Sequence, residues 1–369
     1  MPTRPRFLII SMLVLVTVAC QDRQREARTP GEFGDWEEVP GVSLVPVPAG
    51  TGNASPGIRR ITLESADVSP DTTSLALASA IAWWGERLVV ADQRAADPLQ
   101  IWDAATLVRE QALGRRGQGP NEFIAPFLWD QAGDGPPVIW DFDQRRLTAL
   151  EVVGGTVTLG TARQLDLPVS LLEFATDGGR IWASGLSADF TVLELSASLV
   201  PTRRIVLPPP HEVPNPTGRR LANRSFLAIS PQGDELVVAY QFANRLDLIM
   251  LEADSVLTFP GPIPTTARYS VSEGRFFWEE GNEIAYLGVQ HAGDRIYAAF
   301  CGCGLDRDPV GLPTAIHVFR PDGEALAILE IGLPFTAFAV DPDQARIALV
   351  VEDPVPRLVM MEMPQELVR

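Results

Sequence analysis

The feature that most constrains this chain is a rhythm. From Leu75 onward, short apolar runs recur in groups of four, and a tight Gly/Asp turn joins the first run of each group to the second. The clearest copy reads 75–84, the turn Gly85-Glu86, then 87–92, a loop, 99–103, a turn, and 107–113. Further copies begin at Phe127, Leu171, Ser225, Ala285 and Phe335, with turns such as Asp177-Gly178-Gly179, Gly293-Asp294 and Pro321-Asp322-Gly323. Within a run such as Arg295-Ile296-Tyr297-Ala298-Ala299-Phe300 the pattern is that of a strand with two faces. Helical alternatives find little room, because 32 Pro and 30 Gly are spread along 369 residues.

A unit of about 40–50 residues with four strands cannot cover its own apolar faces, and radial repetition around an axis is the arrangement that covers them. The reading is therefore all-β: a six-bladed β-propeller of four-stranded antiparallel blades. The last unit (335–340, 345–351, 357–361) has three strands before the chain stops. Residues 60–64, Arg-Ile-Thr-Leu-Glu, form a strand without a blade. That strand is expected to close the ring from the N-terminal side and remove an exposed edge. The propeller is assigned to 41–366.

The first twenty residues, MPTRPRFLIISMLVLVTVAC, carry Arg4 and Arg6 ahead of an apolar stretch too short to span a bilayer comfortably. They read as a signal peptide over 1–19. The end, Thr17-Val18-Ala19-Cys20, resembles a bacterial lipobox, with Thr17 where Leu is usual. Cys20 is then the lipidation site, 20–40 a flexible tether, and the protein exported and lipid-anchored in the bacterial cell envelope, on the periplasmic or cell-surface side. Ordinary cleavage after Ala19 is the alternative. In that oxidising setting Cys301 and Cys303 are expected to form a disulfide, with free thiols or a metal site as the other readings.

The stretch Gly114-Arg115-Arg116-Gly117-Gln118-Gly119-Pro120-Asn121-Glu122-Phe123 resembles the G-x-x-G-x-G-P-G-E-F signature of bacterial six-bladed β-propeller lipoproteins, relatives of NHL-repeat propellers. Asp92-Gln93-Arg94 is similar to the second-strand ends of that family. Asn121 replaces the usual Gly, a mild change because Asn also tolerates a left-handed backbone. The resemblance implies an envelope propeller and supplies no reaction. The stretch is no phosphate loop: it lacks the Lys-Ser/Thr pair, and no helix is expected after it.

Composition narrows the function classes. Net charge is −17 and every cation is Arg, so a nucleic-acid-coating role is excluded by sign. No Gly-x-Ser-x-Gly elbow is present, and His211, His291 and His317 show no ligand or triad spacing. One enzymatic alternative remains, a metal-dependent hydrolase, lactonase or lyase. It would hold a divalent cation such as calcium at the channel mouth through Glu173, Asn223, Asn282 and Glu283. The preferred reading is non-catalytic, needs no cofactor and touches membrane only through the lipid anchor. In an antiparallel blade the turns between strands one–two and three–four share a face, while two–three and interblade connections share the other. The long segments, 91–98, 208–224, 260–282 and 302–313, all belong to the second class and are rich in Arg. They include Arg94, Arg219, Arg220, Arg224, Arg268, Arg275 and Arg307, with Arg115, Arg116 and Arg245 on the same side. A protein partner or an anionic small molecule is expected on that face, bound by Arg94, Arg115, Arg116, Asn121, Glu122 and Arg245. Phe276-Phe277-Trp278 is expected to anchor the longest loop to the disc.

Overall fold

The structure, a computed structural model, describes residues 39–44, 46–48, 58–70, 75–132, 135–166, 171–210, 216–265, 268–272, 275–305 and 311–368. Cys20, the signal segment, most of the tether, His211 and Arg307 lie outside the described residues. The chain forms a six-bladed β-propeller. Blade one is Ala78–Trp84, Arg87–Asp92, Leu99–Asp103 and Arg109–Leu113; blade two is Pro126–Leu128, Val138–Asp141, Arg146–Val153 and Thr156–Leu159. Blade three is Leu171–Thr176, Arg180–Gly185, Val192–Ser196 and Pro201–Val206; blade four is Ser225–Ile229, Glu235–Tyr240, Arg245–Met250 and Ser255–Pro260. Blade five is Glu283–Ala292, Arg295–Gly304, Ala315–Phe319 and Ala325–Glu330. Blade six has Phe335–Asp341, Arg346–Glu352 and Pro356–Glu362, and takes its fourth strand from the N-terminal region. First strands of neighbouring blades touch at five seams, and between blades two and three Asp130–Gln131, just after the first strand of blade two, pairs in parallel with Ala175–Thr176, which sets the blades around the axis.

The core is divided among the seams between blades. At the seam of blades three and four, Trp182 and Val192 pack against Leu236 and Tyr240. At the next seam Leu246 and Phe259 meet Tyr286 and Phe319. Blades six and one are joined by Ala339, Ala348 and Met360 against Ile81, Leu88 and Trp102. Alternation explains this: successive side chains of a strand feed opposite seams, so Val89 lies in the one–two cluster and Val90 in the six–one cluster.

The described residues of the N-terminal region form four short strands that run around the rim. β1 (Gly41–Ser43), β2 (Val47–Pro48) and β3 (Arg59–Thr62) add in parallel to the outer strands of blades three, four and five. β4 (Ser65–Val68) pairs antiparallel with the third strand of blade six, Val359 with Val68 and Met360 with Asp67. The ring is therefore closed by an N-terminal strand, but by β4 rather than by residues 60–64. Arg59–Thr62 instead widens blade five, and Leu63, buried in the five–six seam, marks the step from one rim to the next. Both strands are short and largely exposed, so side-chain pattern does not separate them.

Truncations separate belt from closure. Removing residues 1–58 takes away β1 and β2, and the protein is expected to keep a single cooperative thermal transition at a lowered midpoint. Removing 1–69 also takes β3 and β4 and is expected to abolish that transition. Equal melting of the two truncations would show that β4 does not close the ring.

Candidate functional site

Blade topology places the connections. Turns 85–86, 177–179, 293–294 and their equivalents lie on one face. The two–three loops and interblade segments lie on the other, and several of these carry structure of their own. Segment 207–224 contains a short helix, α1 (Pro216–Ala222), with proline at its first position, where its missing N–H costs nothing. Segment 261–282 contains a hairpin of Tyr269–Ser272 and Arg275–Trp278 that touches α1. Trp278 packs on Phe242 with ring centroids 4.4 Å apart, next to Ile284 and Cys303. It anchors the hairpin as the sequence suggested, while Phe277 is exposed. Cys301 and Cys303 form a disulfide. A Cβ on Gly311 would lie 2.6 Å from the Cys303 Cβ, so only glycine passes beside this bridge.

The glycine-rich stretch is a turn held from several sides. Arg115 and Arg116 pair in parallel with Glu122 and Phe123. The Glu122 carboxylate accepts the Gly119 N–H at 2.7 Å and fills the space where a Gly117 Cβ would sit, 2.1 Å from Oε2. Gly117 has φ 153° and Asn121 φ 58°. Gln144 donates to the carbonyls of Gly117 and Glu122 at 3.1 and 2.9 Å, and Arg146 to that of Gly119 at 3.1 Å. Asn121 and Glu122 thus have a structural task in shaping the turn. Two buried aspartates at second-strand ends fix the loops around it. Asp92 accepts the N–H groups of Ala76, Leu77, Arg94 and Ala95 at 2.7–3.0 Å. Asp141 accepts those of Ile124 and Gln144 at 2.7 and 3.1 Å.

The arginines divide by face. On the short-turn face they are neutralised locally: Arg180 by Asp177 at 2.9 Å, Arg295 by Asp294 at 2.7 Å, Arg346 by Asp341 at 3.0 Å, Arg203 by Asp254 and Arg320 by Glu324. On the long-loop face Arg94, Arg115, Arg116, Arg219 and Arg220 are exposed, and no carboxylate among the described residues bridges them. Arg116 donates to the Gln93 carbonyl, which makes it part strut. Arg245 differs from the others. It grips buried Asp247 through Nε at 2.8 Å and a terminal nitrogen at 2.7 Å, lies over the Tyr240 ring, and donates to the Pro208 carbonyl at 3.1 Å. Tyr240 and Thr258 complete the Asp247 shell at 2.9 and 2.6 Å. Its guanidinium is partly buried and committed to these partners.

Of the oxygen donors named for a cation, Asn282 is fully buried and its Oδ1 accepts the Arg268 N–H at 2.8 Å, while Asn223 donates Nδ2 to the Ser187 carbonyl at 3.3 Å. Glu173 and Glu283 stand on the first strands of blades three and five. Among the described residues no group of three or more His, Cys, Asp or Glu is placed to hold a metal. Glu173 is partly accessible, yet its carboxyl is desolvated strongly enough to raise its pKa to about 8, against a smaller opposing effect of Arg224. His317, stacked on Phe300 at 4.3 Å and 3.3 Å from the Tyr286 hydroxyl, is held neutral by burial down to about pH 3. His291 lies 3.2 Å from Glu235 on the opposite face.

No family model and no curated protein sequence matches the chain. Many solved structures do. One is the β-propeller domain of Cps50 (Swd1) from Myceliophteria thermophila, 12% identical with a TM-score of 0.44, covering 82% of this chain and all of that one. The blade count rests on this chain's own sheets.

Two substitutions test the local physics. Asp92→Ala leaves four backbone donors without their acceptor and is expected to cost about 3 kcal/mol, read as a lower urea midpoint at unchanged slope. For Glu173 the folded state keeps a proton that the unfolded chain has released above its ordinary carboxylate range. Stability should therefore fall as pH rises from about 4.5 to about 8. Glu173→Gln is expected to flatten that fall, gaining relative to the parent at pH 8 but not at pH 4.5; parallel curves would show an ordinary carboxylate.

Proposed function

We propose that this propeller is a non-catalytic binding platform whose long-loop face takes an anionic ligand or an acidic protein surface. The observation that carries this is the division of the arginines. A chain of net charge −17 leaves Arg94 and Arg115 exposed and unbridged on the face where its helix and hairpin gather, while arginines of the opposite face are paired. The glycine turn restrains the backbone of Arg115, which reduces the ordering cost of a contact. On this reading the acidic background repels anions elsewhere and the arginine sector admits them.

The test is retention on a poly-aspartate surface at low ionic strength. The parent should be retained and released by salt. Arg94→Glu/Arg115→Glu should not be retained, whereas Arg320→Glu on the opposite face should behave as the parent. Equal retention of the two variants overturns the reading.

The same proposal places the platform in the bacterial envelope, tethered through Cys20. Its support is Arg4, Arg6, the apolar stretch after them and the Ala19-Cys20 end. Mass spectrometry of the mature N-terminus is expected to find an acylated Cys20. A free Cys20 or Gln21 start would mean secretion without an anchor.

A further inference from the structure

Buried side-chain oxygens that lack a partner are not scattered through this molecule. Among the described residues they include Gln93, Asn223, Ser225, Gln241, Thr265 and Glu352. By their place in the blades, each lies toward the long-loop end of its strand or in a connection on that face. Three of them, on Asn223, Ser225 and Gln241, gather where blade four meets its neighbours.

The backbone ties these three together. Ser184, opposite Glu173 on blade three, donates its hydroxyl to the Ser225 carbonyl at 3.0 Å. Asn223 donates to the Ser187 carbonyl, which fixes its amide so that Oδ1 is the atom left over. Gln241 bridges the following seam: its N–H goes to the Arg224 carbonyl at 2.9 Å and its carbonyl accepts the Ala285 N–H at 2.7 Å. Gln241 is 1% exposed and Oε1 has no partner among the described residues. Across that seam Asn282 uses Oδ1 on Arg268 and keeps Nδ2 unmatched. α1 ends immediately before Asn223, and the hairpin that touches α1 is pinned on Phe242, the residue after Gln241.

A buried polar atom without a partner costs on the order of 1–3 kcal/mol, and such groups are rare unless something satisfies them. Here two amide oxygens, one hydroxyl and one amide donor collect on two adjacent seams. The set carries no charge of its own. An anion would face acceptor oxygens, and a cation would meet the Arg224 charge beside Glu173, which keeps its proton near neutrality. A ligand bearing several hydroxyls, each able to donate and accept, matches the set.

We infer that the long-loop end of blade four, where its two flanking seams open, binds a neutral polyhydroxylated ligand, a sugar ring or cyclitol, held by Asn223, Ser225, Gln241 and Asn282. This site lies in the sector of blades three to five. It rests on different residues from the arginines of blade one and the turn after it, and goes beyond the anionic platform.

The full chain is titrated by calorimetry with glucose, galactose, mannose and myo-inositol, and with maltotetraose to distinguish a free sugar from the end of a glycan. Saturable binding of at least one is expected. Gln241→Met and Asn223→Leu should weaken it at least tenfold; in Gln241→Met the melting temperature should be unchanged or raised, because an unmet acceptor has been removed, whereas Asn223→Leu also loses the bond to the Ser187 carbonyl and should melt lower. Gln93→Met removes a similar oxygen from blade one and should leave binding intact, as should Arg94→Glu/Arg115→Glu, so this inference and the anionic reading fail separately. Three results overturn it. One is no saturable binding of any probe. Another is parental affinity in Gln241→Met. The third is a Gln241→Met protein that melts several degrees lower, which would show the oxygen to be satisfied within the fold.

Discussion

A four-stranded sheet whose strands feed apolar side chains to both faces has no stable existence alone, and that constraint governs this molecule. Trp102, Trp182 and Tyr297 are each fully buried, and each reaches that state only because a neighbouring blade covers it. Burial of one large apolar side chain stabilises by about 1.5–3 kcal/mol, so an uncovered seam would forfeit many times the usual net stability of a domain. Only a closed ring leaves no seam uncovered. Closure then dictates the rest, since antiparallel blades around an axis send one set of connections to one face and the other set to the opposite face.

The strand rhythm was legible because its punctuation is chemical: Gly and Asp turns recur where φ becomes positive, as at Gly85, Gly178, Gly233 and Gly293. The closing strand was misplaced by a few residues. Outer strands sit at the rim with both faces partly wet, so β3 and β4 differ in no pattern a sequence displays. The helix at Pro216–Ala222 was missed because seven residues containing Gly218 offer no apolar period. The motif around Gly114 could be recognised, but not the reason for Glu122, whose carboxylate serves a backbone N–H three residues earlier. Arg245 looked like its neighbours in sequence. Asp247, two residues on and so on the same face of the strand, takes its guanidinium over the Tyr240 ring.

The two faces have been put to different physical use. The short-turn face is self-contained, with cations and anions drawn from turns that closure brings together, such as Arg203 and Asp254 from adjacent blades. The long-loop face is braced from below by Asp92 and Asp141, which satisfy loop backbone with fixed carboxylates. That bracing lets side chains above it remain uncommitted.

The belt of β1 to β4 also has a mechanical meaning. A pull on the N-terminal end reaches blade three first, through a parallel ladder of three residues, then the shorter one on blade four, then four residues on blade five. Each can peel in turn, and residues 39–64 pay out roughly 85–95 Å of chain. Only after that does the load arrive at β4 and the ring itself. A propeller held by this end would carry its own slack line, one that yields in stages while the disc stays whole.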